Sequence, residues 1–111
     1  MKKKQSIEHT QLLVLSLLAG EDMYGYQMIV ELARRSERTF EMKEGTLYPL
    51  LHTLEKNRWI KSYTKTAENG RERKYYSLTQ EGRAHLEYKK QEWAIFSQQV
   101  NSVLRTAALP L

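Results

Sequence analysis

Residues 46–79 read TLYPLLHTLEKNRWIKSYTKTAENGRERKYYSLT, and a change of period inside this stretch decides the fold. In its first part Leu47, Leu50, Leu51 and Leu54 recur at three- and four-residue steps, the apolar stripe of a helix. The opposite face carries Tyr48, His52, Thr53 and Lys56. Pro49 has no amide hydrogen and belongs in a first turn, which Thr46 as N-cap would provide; a start at Glu44 would demand a kink. From Ile60 to Thr66 the residues alternate and are rich in β-formers, Asn69-Gly70 signals a hairpin, and residues 73–78 read as the returning strand. Tyr76 and Leu78 share the expected core side. Arg73, Tyr75 and Ser77 fall on the other side, and the tip at 67–72 is polar and basic.

Upstream, the run from Leu12 to Leu18 is apolar on most sides, which predicts a buried helix over 6–19 with Gly20 as its left-handed stop. Tyr24-Gly25-Tyr26 opens a second helix, in which Tyr26, Ile29, Ala33 and Met28, Leu32 recur at helical steps. Arg34 and Arg35 stand near its C-terminal end, where the dipole favours cations, and a polar connector follows at 36–43. Downstream, Thr79 caps a last helix that can run to about Arg105, before Pro110. Leu86, Trp93, Val100 and Ala107 are spaced by seven, with Phe96 and Val103 between them and Lys89 breaking the pattern. So small a domain cannot cover this seam by itself, so a second copy of the chain is the expected partner.

The length of 111 residues suits one domain, and without cysteine there is neither a disulfide framework nor a thiolate zinc site, as suits a reducing cytosol. Lys2 to Lys4 before the run 12–19 faintly resembles a secretory signal. Glu8 and His9 interrupt it, the run is too short to span a bilayer, and no small-residue cleavage site follows Gly20. The net charge is +5, and the stretch from Lys56 to Lys74 holds seven basic residues against two acidic ones, so it alone equals the excess of the whole chain. A cluster of this kind favours a polyanion.

Three helices followed by a basic hairpin is the order of a winged helix-turn-helix, so the expected fold is mainly α (α+β). Residues 1–78 would form the DNA-binding part, and 79–111 a long dimerisation helix in one compact unit. In this arrangement the third helix enters the major groove and the wing follows the backbone or the minor groove. Lys56, Lys65, Arg71, Arg73 and Lys74 would neutralise phosphates, while the outer side chains of the third helix would meet base edges.

The residues Glu44-Gly45-Thr46-Leu47-Tyr48-Pro49-Leu50-Leu51, then Leu54-Glu55-Lys56, then Arg73-Lys74-Tyr75-Tyr76-Ser77-Leu78-Thr79 with Gly82 resemble the PadR family of bacterial regulators. Tyr24-Gly25-Tyr26 is similar to that family's pattern too, and the single C-terminal helix resembles its short branch. The resemblance implies a cytoplasmic homodimer that binds operator DNA as a repressor, modulated in some members by a small hydrophobic effector. It also implies that Thr46, Tyr48, Pro49 and His52 form the recognition surface and that Arg71, Arg73 and Lys74 belong to the wing. Trp93 falls where some short-branch members carry an aromatic residue near the dimer centre, and with Phe96 it would line an effector site. Whether Trp93 does so or only packs is open at this point. Arg58-Trp59 departs from the more common small or acidic residue and glycine, which is expected to alter the turn.

No catalytic arrangement stands out, and His9, His52 and His85 lack metal spacing, so neither an enzyme nor a metal or cofactor site is expected. The competing reading is a winged-helix module for RNA or for protein–protein interaction. The basic wing speaks against a purely protein role, while phosphate contacts look alike on DNA and RNA.

Overall fold

The computed structural model describes the backbone of residues 2–108 and the side chains of residues 9–105. The side chain of Ala107, the last member of the seven-residue spacing, and Pro110 beyond it lie outside these described residues. In chain order the elements are α1 (Lys2–Gly20), β1 (Met23–Tyr24), α2 (Gly25–Arg35), α3 (Glu44–Lys56), β2 (Ile60–Thr66), β3 (Glu72–Leu78) and α4 (Gln80–Ala108). The strands form an antiparallel sheet in the order β1-β3-β2, with Ile60 opposite Leu78, Tyr63 opposite Tyr75, and Tyr24 on the other side of Tyr75. This is a winged helix with a long C-terminal helix, as the change of period predicts.

One core joins all of these elements. Val14, Leu15, Leu17 and Leu18 of α1 meet Met28 and Leu32 of α2 and the four leucines of α3, closed by Met23, Met42, Ile60, Tyr76, Leu78 and Leu86. Leu47, Leu50, Leu51 and Leu54 are all buried, so the stripe read from their spacing faces inward and leaves the polar face of α3 to solvent. Ser62 Oγ donates to Glu55 Oε2 at 2.8 Å, which fixes β2 against the last turn of α3.

Several local expectations are corrected. Gly20 is the last residue of α1 and does not have positive φ; the Glu21 amide still bonds to the Leu17 carbonyl, and the chain passes straight into β1. The short strand β1 is absent from the sequence reading, because two residues carry no readable period. Tyr26 lies on the exposed side of α2, whose buried residues are Gly25, Met28 and Leu32. Thr46 does not cap α3: Lys43 is the N-cap, and its carbonyl accepts from the amides of Thr46 and Leu47. Pro49 therefore sits in the second turn of an unbroken helix. The carbonyl that loses its donor belongs to Gly45, which is exposed and has open space around it, so water can serve it.

The ends of α2 and α3 share one geometry. After α3 the Trp59 amide reaches back to the Leu54 carbonyl and the Arg58 amide to the Glu55 carbonyl, the paired bonds of a Schellman ending. Arg58 takes the left-handed position of that motif, at φ 64°, where glycine is usual. Glu37 does the same after α2, at φ 51°. The hairpin tip spans 67–71, with Gly70 at φ 84° and Asn69 Oδ1 accepting from the Arg71 amide.

The start of α4 is pinned to the α3–β2 turn. Thr79 Oγ1 accepts from the Gly82 amide at 2.9 Å, a true N-cap, and donates to the Arg58 carbonyl at 2.7 Å. A β-carbon on Gly82 would collide with the Trp59 carbonyl oxygen, so this close approach requires glycine. One turn on, His85 stacks on Trp59 at 3.5 Å and 11°. Leu86 is only 1% exposed, inside the core of its own chain, and has no surface to offer a partner. It is removed from the expected dimer seam, because the first two turns of α4 pack against the winged-helix body. Beyond them α4 is mostly exposed, with α1 still running beside it as far as Trp93, and the molecule is 64 Å long and 28 by 25 Å across.

Candidate nucleic-acid interface

The outer face of α3 is built by the same period that buries its leucines. Thr46, Tyr48, Pro49, His52, Thr53 and Lys56 are all exposed on it. Tyr48 is 44% exposed, yet its ring lies against the start of α2: a β-carbon on Gly25 would stand 2.8 Å from Tyr48 Cζ and closer still to the hydroxyl. Tyr48 is thus a surface residue held on one edge, and Gly25 is the residue that makes room for it.

The wing divides its cations between two faces. Lys65 and Arg73 stand opposite each other across the β2–β3 ladder and share a face, whereas Lys74 projects from the other. Arg71 is exposed in the tip. Arg73 is half-buried, with its guanidinium carbon 4.3 Å from the centroid of the Tyr24 ring. Lys65 Nζ lies 5.3 Å from the ring of Tyr75, and Lys74 Nζ lies 5.6 Å from that of Tyr76.

A row of tyrosines, missed in the sequence, underlies the Lys65–Arg73 face. Tyr24 meets Tyr75 edge-on at 5.4 Å, Tyr75 stacks on Tyr63 at 5.9 Å, and Tyr63 Oη donates to Asp22 Oδ2 at 2.6 Å. That hydrogen bond to a carboxylate, with burial second, holds the Tyr63 phenol above its ordinary pKa. Burial, with Glu55 adding to it, raises that of Tyr76. The alternation of Tyr63, Lys65 and of Arg73, Tyr75 was visible in the sequence; the third strand that completes the row was not.

On α4, Trp93 is 46%, Phe96 52% and Val103 69% exposed, with Val100 exposed beside them. Ile95 and Leu104, outside the seven-residue spacing, are exposed as well. His9 of α1 meets Trp93 edge-on at 5.3 Å. Between the two helices runs an open groove of about 430 Å³, lined by His9, Leu12, Lys89, Trp93, Phe96 and Gln99 among others. Among the described residues no cluster of His, Cys, Asp and Glu could hold a metal ion, and no helix is long and apolar enough to cross a membrane.

Comparison with known proteins is consistent with this geometry. The transcriptional regulator PadR-like family matches residues 14–88. An uncharacterized protein of Lysinibacillus sphaericus is 37% identical over 86 residues, 78% of this chain and 79% of that one. A transcriptional regulator from Clostridium thermocellum superposes with a TM-score of 0.78 at 34% identity, over 86% of this chain and 92% of the other. A PadR family transcription regulator from Clostridium difficile is 41% identical, with a TM-score of 0.73 over 85% and 96% of the two chains.

Proposed function

Because the chain belongs to the PadR-like family of transcriptional regulators, we propose that it is a repressor that binds duplex operator DNA in a sequence-specific manner as a homodimer. The family is one of regulators, not of enzymes. The observation that carries the reading is the pairing of an exposed polar face on α3 with a cationic wing on one shared core. Thr46, Tyr48, Pro49 and His52 are the side chains we assign to base edges. Lys56, Lys65, Arg71, Arg73 and Lys74 are assigned to phosphates.

The apolar stretch of α4 from Trp93 to Val103 is the surface we assign to a second copy of the chain, because each apolar residue of it is left exposed by the body. A small planar hydrophobic effector would bind in the groove at Trp93 and Phe96, where an indole face is available for stacking. Such a protein would act in the cytoplasm.

The test is selection from a randomised 30-base-pair duplex pool. Enrichment of one motif, bound more tightly than random duplex and than RNA of the same sequence, is the expected result. Equal retention of random duplex and RNA would leave only a non-specific polyanion binder. Transcription from a promoter carrying the enriched motif then separates repression from activation.

A further inference from the structure

Arg73 differs from the other cations of the wing. Lys65, Arg71 and Lys74 are exposed, while Arg73 is half-buried with its guanidinium over the Tyr24 ring at 4.3 Å. Tyr24 is itself held from behind. It forms one end of the row Tyr24–Tyr75–Tyr63, whose far end is tied to Asp22 by the Tyr63 hydroxyl. The short segment from Asp22 to Tyr24 therefore grips the row at both ends. The residue after Tyr24 is Gly25, on which Tyr48 rests. A single junction thus touches a side chain from each of the two elements that face DNA.

We propose that Tyr24 is a positioning residue for DNA recognition: it holds Arg73 in the pose that meets the duplex, so that the wing reads one fixed feature of the operator as well as adding charge. An arginine loses much rotamer freedom when it is ordered at an interface, and ordering it beforehand removes that cost from binding. A guanidinium lying on an aromatic face still has its N–H donors directed outward along its edge. The wing's Lys65 and Lys74 are exposed and lie farther from their rings, at 5.3 and 5.6 Å, so their rings hold them less closely. The proposal rests on the DNA-binding reading above and adds a role for a residue that need not touch DNA.

The experiment uses the full chain and a fluorescent duplex carrying the motif it enriches from the random pool, with a random duplex as control. Affinities are measured at several salt concentrations for wild type, Tyr24→Leu, Tyr24→Phe, Arg73→Gln and the Tyr24→Leu/Arg73→Gln double variant. Tyr24→Leu is expected to weaken binding to the enriched duplex by about fivefold. Its salt slope should stay unchanged, because no charge is removed. Arg73→Gln should lower the slope by about 0.9, and the double variant should bind no more weakly than Arg73→Gln alone. Tyr24→Phe keeps the ring and should bind like wild type. Additive losses in the double variant, or a Tyr24→Phe variant as weak as Tyr24→Leu, overturn the proposal. A measurement on the free wild-type protein makes the test independent of folding of the variants. The Arg73 δ-protons should show an upfield ring-current shift in NMR, and ordinary shifts would overturn the proposal. Failure of wild type to enrich any motif would instead remove the DNA-binding reading, and this proposal with it.

Discussion

The Tyr48 ring rests on the α-carbon of Gly25, so α3 and the start of α2 touch through an aromatic side chain and a residue without one. No β-carbon fits there without moving the tyrosine. Tyr48 keeps nearly half of its surface exposed, and the four buried leucines of α3 anchor the helix without it. Its removal should therefore change recognition more than folding. We predict that Tyr48→Ala costs about 1 kcal/mol or less in stability but lowers discrimination between the enriched and random duplexes. Gly25→Ala should reproduce that loss by pushing an intact Tyr48 aside. A Tyr48→Ala protein that melts far below wild type, with discrimination intact in the folded fraction, would make Tyr48 a core residue.

Neutralising Arg71, Arg73 and Lys74 together should flatten the dependence of affinity on salt. Each phosphate that the protein no longer neutralises lowers the slope of log affinity against log salt by about 0.9 on duplex DNA. The three side chains leave the wing in different directions, from the tip and from both faces of β3. The decrease should consequently be smaller than if all three met phosphates at once. An unchanged slope would take the wing out of the interface.

Arg58 occupies a left-handed position at φ 64° that a glycine would hold without strain. Its side chain is exposed, while its amide and carbonyl hold the turn together through Glu55 and Thr79. Arg58→Gly is therefore expected to stabilise the fold by about 0.5–1 kcal/mol, a rise of a few degrees in Tm that calorimetry would register. Gly82→Ala, which meets the Trp59 carbonyl across the same turn, should do the opposite and cost about 1–3 kcal/mol. A lower Tm for Arg58→Gly would mean that its side chain holds the turn in a way the backbone bonds do not reveal.

These positions show where the sequence was legible and where it was not. The leucine steps of α3, the alternation of β2 and the Thr79 cap each express a rule confined to one element, and the structure follows all three. The errors fall where the surroundings of a residue, and not its spacing, settle the choice. α3 starts at Glu44 with Pro49 in its second turn because exposed Gly45 tolerates a carbonyl without a donor, which no helix rule for proline alone would suggest. Leu86 has the right spacing for a dimer seam but is claimed by its own core, since spacing says which face a residue occupies and not what covers that face. The tyrosine row needs β1, and two residues are too few to show a period.

His85 should make the fold acid-sensitive. It is stacked on Trp59, and its Nε2 is buried with no hydrogen-bond partner among the described residues. Burial first, and Lys89 second, push its pKa below the ordinary histidine value, with Glu92 opposing. The unfolded chain, where the ring titrates near 6.5, then binds the proton more tightly than the folded one. The contribution is fully present above that pH and is lost as pH falls through the lowered folded value. His85→Phe keeps an aromatic ring against Trp59 but cannot titrate. Thermal melts between about pH 5 and 7 should therefore fall more steeply for wild type than for His85→Phe. Parallel curves would leave His85 without a role in the acid response.

The last prediction concerns α4 beyond its second turn. Its 29 residues extend about 43 Å at the usual helical rise, and among the described residues only Gly82 and Leu86, both near its start, are buried. Trp93, Phe96, Val100 and Val103 follow at three- and four-residue steps on a face that stays exposed even though His9 of α1 touches Trp93. Leaving that stripe in water forgoes about 25 cal/mol for each Å² that a partner would cover. The chain should therefore scatter light as a dimer at micromolar concentration, and Phe96→Asp/Val100→Asp should return it to a monomer that retains its helical content. A monomeric wild type removes the second copy from the proposed function. The groove is tested separately, since Trp93 and Trp59 both emit. In Trp59→Phe, planar hydrophobic compounds should quench the remaining indole in the dimer and much less in the monomeric variant, because closing the stripe over Trp93 and Phe96 would turn an open groove into an enclosed site. Emission that ignores every compound in both forms would leave Trp93 with packing against His9 and the partner as its only task.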